Sequence, residues 1–215
     1  MRRYRPWWRL CCERVGDDSS IQAMATKSSF LKRAHTSPLR ASPTVLVLVD
    51  FINPMRFPGA ENLLKRALPA ARATARLKKR LASQGVTAVY ANDNYGVWQS
   101  DFKALVATCQ ALPGARGEIA ALLAPEEQDL TVLKPRHSAF HSTPLDHLLH
   151  ELKARELVVV GLATDMCVHL TVMDAYMYGY PVWVPSNCTA AESEVSKTAA
   201  LRQMARVLKC STRRG

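Results

Sequence analysis

No run of eighteen apolar residues occurs in this 215-residue sequence, so nothing in it is long enough to cross a bilayer as a helix. The continuous apolar stretch of about seven to fifteen residues that a secretory signal needs is missing too. The six cysteines, at positions 11, 12, 109, 167, 188 and 210, show neither paired C-x-x-C spacing nor the density of a disulfide scaffold. That excludes a small disulfide-stapled fold and points to free thiols in a reducing, cytoplasmic compartment. There are no internal repeats and no low-complexity tracts, so solenoids and fibrous arrays are excluded as well.

What is present is a 48% apolar composition and a net charge of +11. The length suffices for the core of one α/β domain, and nothing argues for two. The charge is uneven: residues 1–42 hold nine Lys or Arg against three acids, while the remainder holds 20 against 15. Much of the basicity therefore belongs to the tail. The body lacks the basic stripe with interleaved aromatics that nucleic-acid domains carry, so nucleic acid is not an expected partner. Residues 1–42 lack alternation and any sustained helical stripe, and read as a basic, disordered extension. Two other readings stay open: an Arg-rich transit peptide, weakened by Glu13, Asp17 and Asp18, and upstream sequence ahead of a true start at Met24.

From residue 43 to 210 strand and helix patterns alternate. Apolar runs mark strands at 44–49, 86–91, 130–133, 157–160 and 182–184, with a weak sixth at 206–208. Helical spacing marks 61–84, ended by Gly85 and divided or bent at Pro69, then 104–112, 118–123, a helix opened by Thr143-Pro144, one ending before Gly179, and 194–205. The loop 51–62, with Pro54, Pro58 and Gly59, cannot continue as helix and can cover a pocket. Such alternation argues for a parallel sheet covered on both faces.

The stretch Gly161-Leu-Ala-Thr-Asp-Met-Cys-Val168 follows the strongest of these strands and precedes a helix. A cysteine in the first turn of a helix meets unpaired amides and the positive end of the helix dipole, which favour a thiolate. A lone cysteine is more often a small buried apolar group, but Cys167 has company. Asp50 closes the first strand and Lys134 the third, and strand ends of an open α/β sheet line the crevice where ligands bind.

With Asp50, the Lys134 of KPRHSAFHST and the GLATDMCV turn, residues 43–210 resemble the isochorismatase-like cysteine hydrolases, relatives of nicotinamidase and N-carbamoylsarcosine amidase. The resemblance implies a three-layer α/β/α sandwich with a six-stranded, mostly parallel sheet in the order 3-2-1-4-5-6. It implies Cys167 as nucleophile, Asp50 as general acid/base and Lys134 as electrostatic partner. The oxyanion donors would be the amides of Ala163 and Cys167, with a cis peptide between Leu162 and Ala163. The expected reaction is hydrolysis of a small amide, ureide or carbamoyl C–N bond, by a homo-oligomer that needs no cofactor. Phe51, Asn92, Trp98, Arg136 and Phe140 follow strand ends or lie in converging loops, and are candidates for substrate contact.

Several departures bear on the substrate. Nicotinamidases of this superfamily carry Asp-x-His and a further His after the second strand, where this sequence has Asp93-Asn94-Tyr95 and no histidine before His137. Two nitrogen ligands are missing, so no metal is expected. An Asp common after the fifth strand is Asn187, and a His at the last helix is Lys197. His137, His141, His147 and His150 read as solvated or locally bonded, and His169 as a residue near the nucleophile. Two alternatives stand beside the hydrolase: a non-catalytic binding member of the fold, and a redox sensor pairing Cys167 with Cys188.

Overall fold

Strand β1 (Thr44–Val49) is buried at every position after Thr44, which requires cover on both sheet faces. The computed structural model describes residues 39–99 and 101–215; the reading of an N-terminal extension lies, for residues 1–38, outside the described residues. After β1 come helix α1 (Ala60–Ala82), β2 (Thr87–Asp93), α2 (Phe102–Gln110), α3 (Ala115–Leu122) and β3 (Leu130–Lys134). They are followed by α4 (Leu145–Glu151), β4 (Glu156–Leu162), a π-helical turn (Thr164–Val168), α5 (His169–Met177), β5 (Val182–Trp183), β6 (Thr189–Ala190) and α6 (Glu194–Arg206).

All pairings are parallel, in the order β3-β2-β1-β4-β5, with β6 against the far end of β4. The period of two divides each strand between two cores. Leu46, Leu48, Tyr90, Val158 and Val160 face α1, α2 and α3, whereas Val45, Val47, Val49, Val89 and Val159 face α4, α5 and α6. This is the expected three-layer sandwich, and burying each such side chain contributes about 1.5–3 kcal/mol.

Two local expectations change. Pro69 does not divide α1, which runs through it with Ala67, Ala70 and Ala71 buried on either side; that packing outweighs the one backbone bond a proline forfeits. The stretch 206–208 is no strand. Ala200, Met204 and Leu208 are all buried, a spacing of four that continues the helical face of α6 rather than an alternating one. The place beyond β5 is taken by a single parallel bridge between Trp183 and Ser211.

Both ends of the described domain are tied to the sheet. Ser42 donates its amide to the Leu152 carbonyl at 2.7 Å and accepts from the Thr87 amide at 2.9 Å. Asn187 exchanges hydrogen bonds with the Gly215 backbone.

β1 and β4 approach most closely at Gly161, which pairs with Val49. A Cβ there would lie 2.1 Å from the Val49 carbonyl oxygen, at a φ of +140° that side chains rarely adopt. Gly161→Ala is therefore expected to destabilise the domain by about 3 kcal/mol or more. It would also push Asp50, the next residue on β1, away from the turn holding Cys167. Chemical denaturation measures the first effect; a midpoint equal to wild type would contradict this account of the glycine.

Candidate active site

Asp50 follows β1, Lys134 ends β3 and Cys167 lies on the turn after β4, and the three side chains meet at one edge of the sheet. Asp50 leaves β1 with a left-handed backbone, φ 52°, a conformation Asp tolerates better than most residues. Its amide stays on the sheet through Ala91 O at 3.1 Å, and its Oδ1 accepts the Asp93 amide at 2.8 Å. Lys134 closes β3 in register with Asp93 and is fully buried. Its Nζ lies 2.7 Å from Asp50 Oδ2, 3.2 Å from the Arg136 carbonyl, 3.7 Å from Cys167 Sγ and 4.0 Å from Asp93 Oδ2.

The electrostatics follow from burial around this trio. Burial raises Asp50 above the usual carboxylate range, against the opposing pull of Lys134 and a hydrogen bond with Cys167. Burial alone would depress Lys134, but the charges of Asp50, Cys167 and Asp93 outweigh it and raise the ammonium. The Cys167 thiol is pushed up to about 12, first by burial and then by the charge of Asp50, with Lys134 opposing. Both influences oppose the thiolate that a helix terminus favours. A helix terminus contributes at most about 2 kcal/mol, and here it competes with burial and an adjacent carboxylate.

The turn itself also differs from an ordinary first helical turn. The Val168 amide bonds to the Ala163 carbonyl at 3.2 Å, a step of five residues that makes Thr164–Val168 a single π turn, a feature that recurs at functional sites. Buried Thr164 anchors it through Thr189 Oγ1 at 2.8 Å, which in turn bonds to the Gly161 carbonyl. The Leu162–Ala163 peptide is cis.

The five candidates for substrate contact are dispersed. Phe51 is buried in the α1-side core. Asn92 is buried and donates to the Ile52 carbonyl at 2.7 Å, holding the loop after β1. Trp98 is 80% exposed. Arg136 is exposed and contributes its carbonyl to Lys134. Phe140 stacks on Tyr178, ring centroids 5.1 Å apart, within the opposite core.

One residue beside the trio escaped the sequence reading as a partner of the sulfur. His137 places Nδ1 3.7 Å from Cys167 Sγ; its position three residues after Lys134 in the same loop was the available signal. Tyr95, by contrast, is 43% exposed, and its amide donates to Asp93 Oδ1. His169 is lowered by burial, with Asp165 opposing. Cavity size does not locate the site: a basin of about 740 Å³ along residues 55–62 and 112–116 contains none of the three.

The donor set does not fit a divalent cation. Asp93 accepts the Tyr95 amide on Oδ1 at 2.6 Å, and its Oδ2 lies 4.0 Å from the Lys134 ammonium, which supplies the positive charge beside that carboxylate. Among the described residues no three His, Cys, Asp or Glu side chains cluster as ligands. Cys188, the suggested redox partner, is fully buried in the α1-side core, whereas Cys167 packs against the other core; the sheet separates them. The four cysteines of the described residues are free.

Residues 44–214 match the family model described as Isochorismatase domain. The isochorismatase family protein YaaI of Bacillus subtilis (strain 168) is 35% identical over 163 residues, 76% of this chain and 89% of YaaI. The ureidoacrylate amidohydrolase RutB of Enterobacter sp. (strain 638) is 40% identical over 80 residues, 37% of this chain and 35% of RutB. Among solved structures, the nicotinamidase SaPncA from Staphylococcus aureus has a TM-score of 0.63 at 20% identity, covering 80% of this chain and 98% of its own. At that identity the likeness is one of fold.

Proposed function

Because this chain belongs to the isochorismatase family, we propose that it is a cysteine hydrolase cleaving a small amide, ureide or carbamoyl C–N bond through an acyl thioester on Cys167. The observation that carries this reading is the buried contact of Lys134 Nζ with both Asp50 Oδ2, at 2.7 Å, and Cys167 Sγ, at 3.7 Å. It holds a proton acceptor, a cation and a nucleophile at one point.

The steps follow from these groups. Asp50 takes the Sγ proton as sulfur attacks the carbonyl carbon, which the raised affinity of Asp50 for a proton favours. The developing oxyanion accepts from the Ala163 and Cys167 amides, whose donors need no reorganisation. Asp50 returns the proton to the leaving nitrogen as the C–N bond breaks. Water then attacks the thioester, its proton passing through Asp50, and the thiol is released. Lys134 keeps its charge throughout and lowers the cost of each anion formed on sulfur or carboxylate. The ureide part of the substrate range is supported by the RutB match, which spans about a third of that protein.

The reading includes a small-molecule substrate, no metal or other cofactor, and a homo-oligomer in the cytoplasm. No helix of the described residues is long and apolar enough to cross a membrane.

A panel of carboxamides, ureides and carbamoyl amines, assayed for released ammonia or amine before and after prolonged dialysis against a strong chelator, tests it. Turnover of at least one class is expected, at a rate unchanged by the chelator and without stoichiometric metal in elemental analysis. No turnover across the panel would remove the hydrolase reading. Activity lost on dialysis and restored by one metal would remove its metal-independent part.

A further inference from the structure

We infer that His137 is a second catalytic partner of the Cys167 sulfur, donating its Nδ1–H to the thiolate from the solvent side. The inference rests on the reading of Cys167 as nucleophile and adds a residue to it. Once Asp50 holds the thiol proton, the sulfur carries a charge inside the protein and needs donors. Lys134 is divided among several acceptors, with its shortest contact to Asp50 at 2.7 Å and the sulfur only at 3.7 Å. The other side-chain nitrogen within reach of Sγ among the described residues is His137 Nδ1, also at 3.7 Å.

The ring is exposed, yet the backbone carrying it is clamped on both sides. Before it, the Arg136 carbonyl is held by Lys134 Nζ. After it, buried Ser138 bonds through its hydroxyl to Asp174 Oδ2 at 2.5 Å, and the Ala139 amide bonds to Thr171 Oγ1 at 3.0 Å. Both partners lie on α5, the helix that continues directly from the turn holding Cys167. The loop and the sulfur are thus referenced to one element, so the imidazole keeps its place although solvent reaches it.

The groups facing the sulfur are Asp50, Lys134 and His137, with Asp93 behind them, its Oδ2 4.0 Å from the Lys134 ammonium. The proton inventory is simple: the thiol proton moves to Asp50, and His137 keeps the hydrogen on Nδ1. That assignment fixes Nδ1–H as the tautomer of the neutral ring and leaves Nε2 toward solvent.

The test is the rate of Cys167 alkylation by iodoacetamide at one fixed pH near neutrality, with the site identified by mass spectrometry, in wild type, His137→Ala and His137→Asn. Asn is included because its side-chain amide can put an N–H where Nδ1 stood. In His137→Ala the rate is expected to fall about tenfold, the loss of thiolate that follows from removing a donor to the sulfur, and in His137→Asn most of that loss should be reversed. An unchanged rate in the alanine variant overturns the inference. So does a reduced rate that asparagine fails to restore, because the ring would then not act as an N–H donor. Alkylation requires no turnover, so an unproductive substrate panel with a reduced alkylation rate would remove the hydrolase reading and leave this one standing. Turnover through Cys167 with an unchanged alkylation rate would do the reverse.

Discussion

Replacing Cys167 by serine is expected to abolish turnover, a loss of about a thousandfold or more, because a hydroxyl at neutral pH is a far weaker nucleophile than a thiol sharing its proton with a carboxylate. The fold should be indifferent: oxygen and sulfur differ little in size, and surface or half-buried substitutions of this kind stay within about 0.5–1 kcal/mol. Mass spectrometry of wild-type protein quenched during turnover should show an acyl adduct on Cys167. An adduct on Cys109 or Cys188 would relocate the chemistry. That outcome is disfavoured by the burial of both residues, which closes their sulfurs to a substrate.

Lys134→Met should cost both activity and stability. The side chain is fully buried beside Asp50, itself 5% exposed, and removing one partner of a buried ion pair typically costs about 3–5 kcal/mol because the other charge is left behind. Asp50, already pushed toward its protonated form by burial, would take up a proton once the ammonium is gone. It would then no longer serve as a base, and turnover should fall by about a thousandfold. The double variant Lys134→Met with Asp50→Asn separates the two effects. With both charges removed, stability should return toward wild type while activity stays lost. Urea denaturation and steady-state rates read the two quantities, and a double variant as unstable as the single one would show that packing, not charge, is what Lys134 supplies.

The trio was legible as a set of strand ends, because Asp50 and Lys134 each terminate an apolar run and Cys167 follows the strongest one. Its partners were not. His137 looks like any loop histidine until the Ser138–Asp174 and Ala139–Thr171 bonds show that its loop is pinned to α5. Phe51 and Phe140 follow strand ends as good binding residues do, yet each fills one of the two cores. Sequence adjacency to a crevice does not fix which way a side chain turns. The expectation for residues 206–208 failed for a different reason. A short apolar run has no period of its own, and Leu208 belongs to the helical series begun by Ala200 and Met204.

Sequence alone determined the parallel sheet, the two-faced burial and the alternation of elements, since strands buried on both sides must be apolar runs and helices between them must show one apolar face. Asp50, Lys134 and Cys167 were also plain in it as a candidate set. Tertiary structure alone decided that Lys134 lies 2.7 Å from Asp50 and 3.7 Å from Cys167, that a π turn carries the cysteine, and that burial and Asp50 push its thiol upward. Those are properties of burial and of distances between groups far apart along the chain. A thiol's proton affinity is set by the desolvation and charge around it, and no local pattern of residues records either.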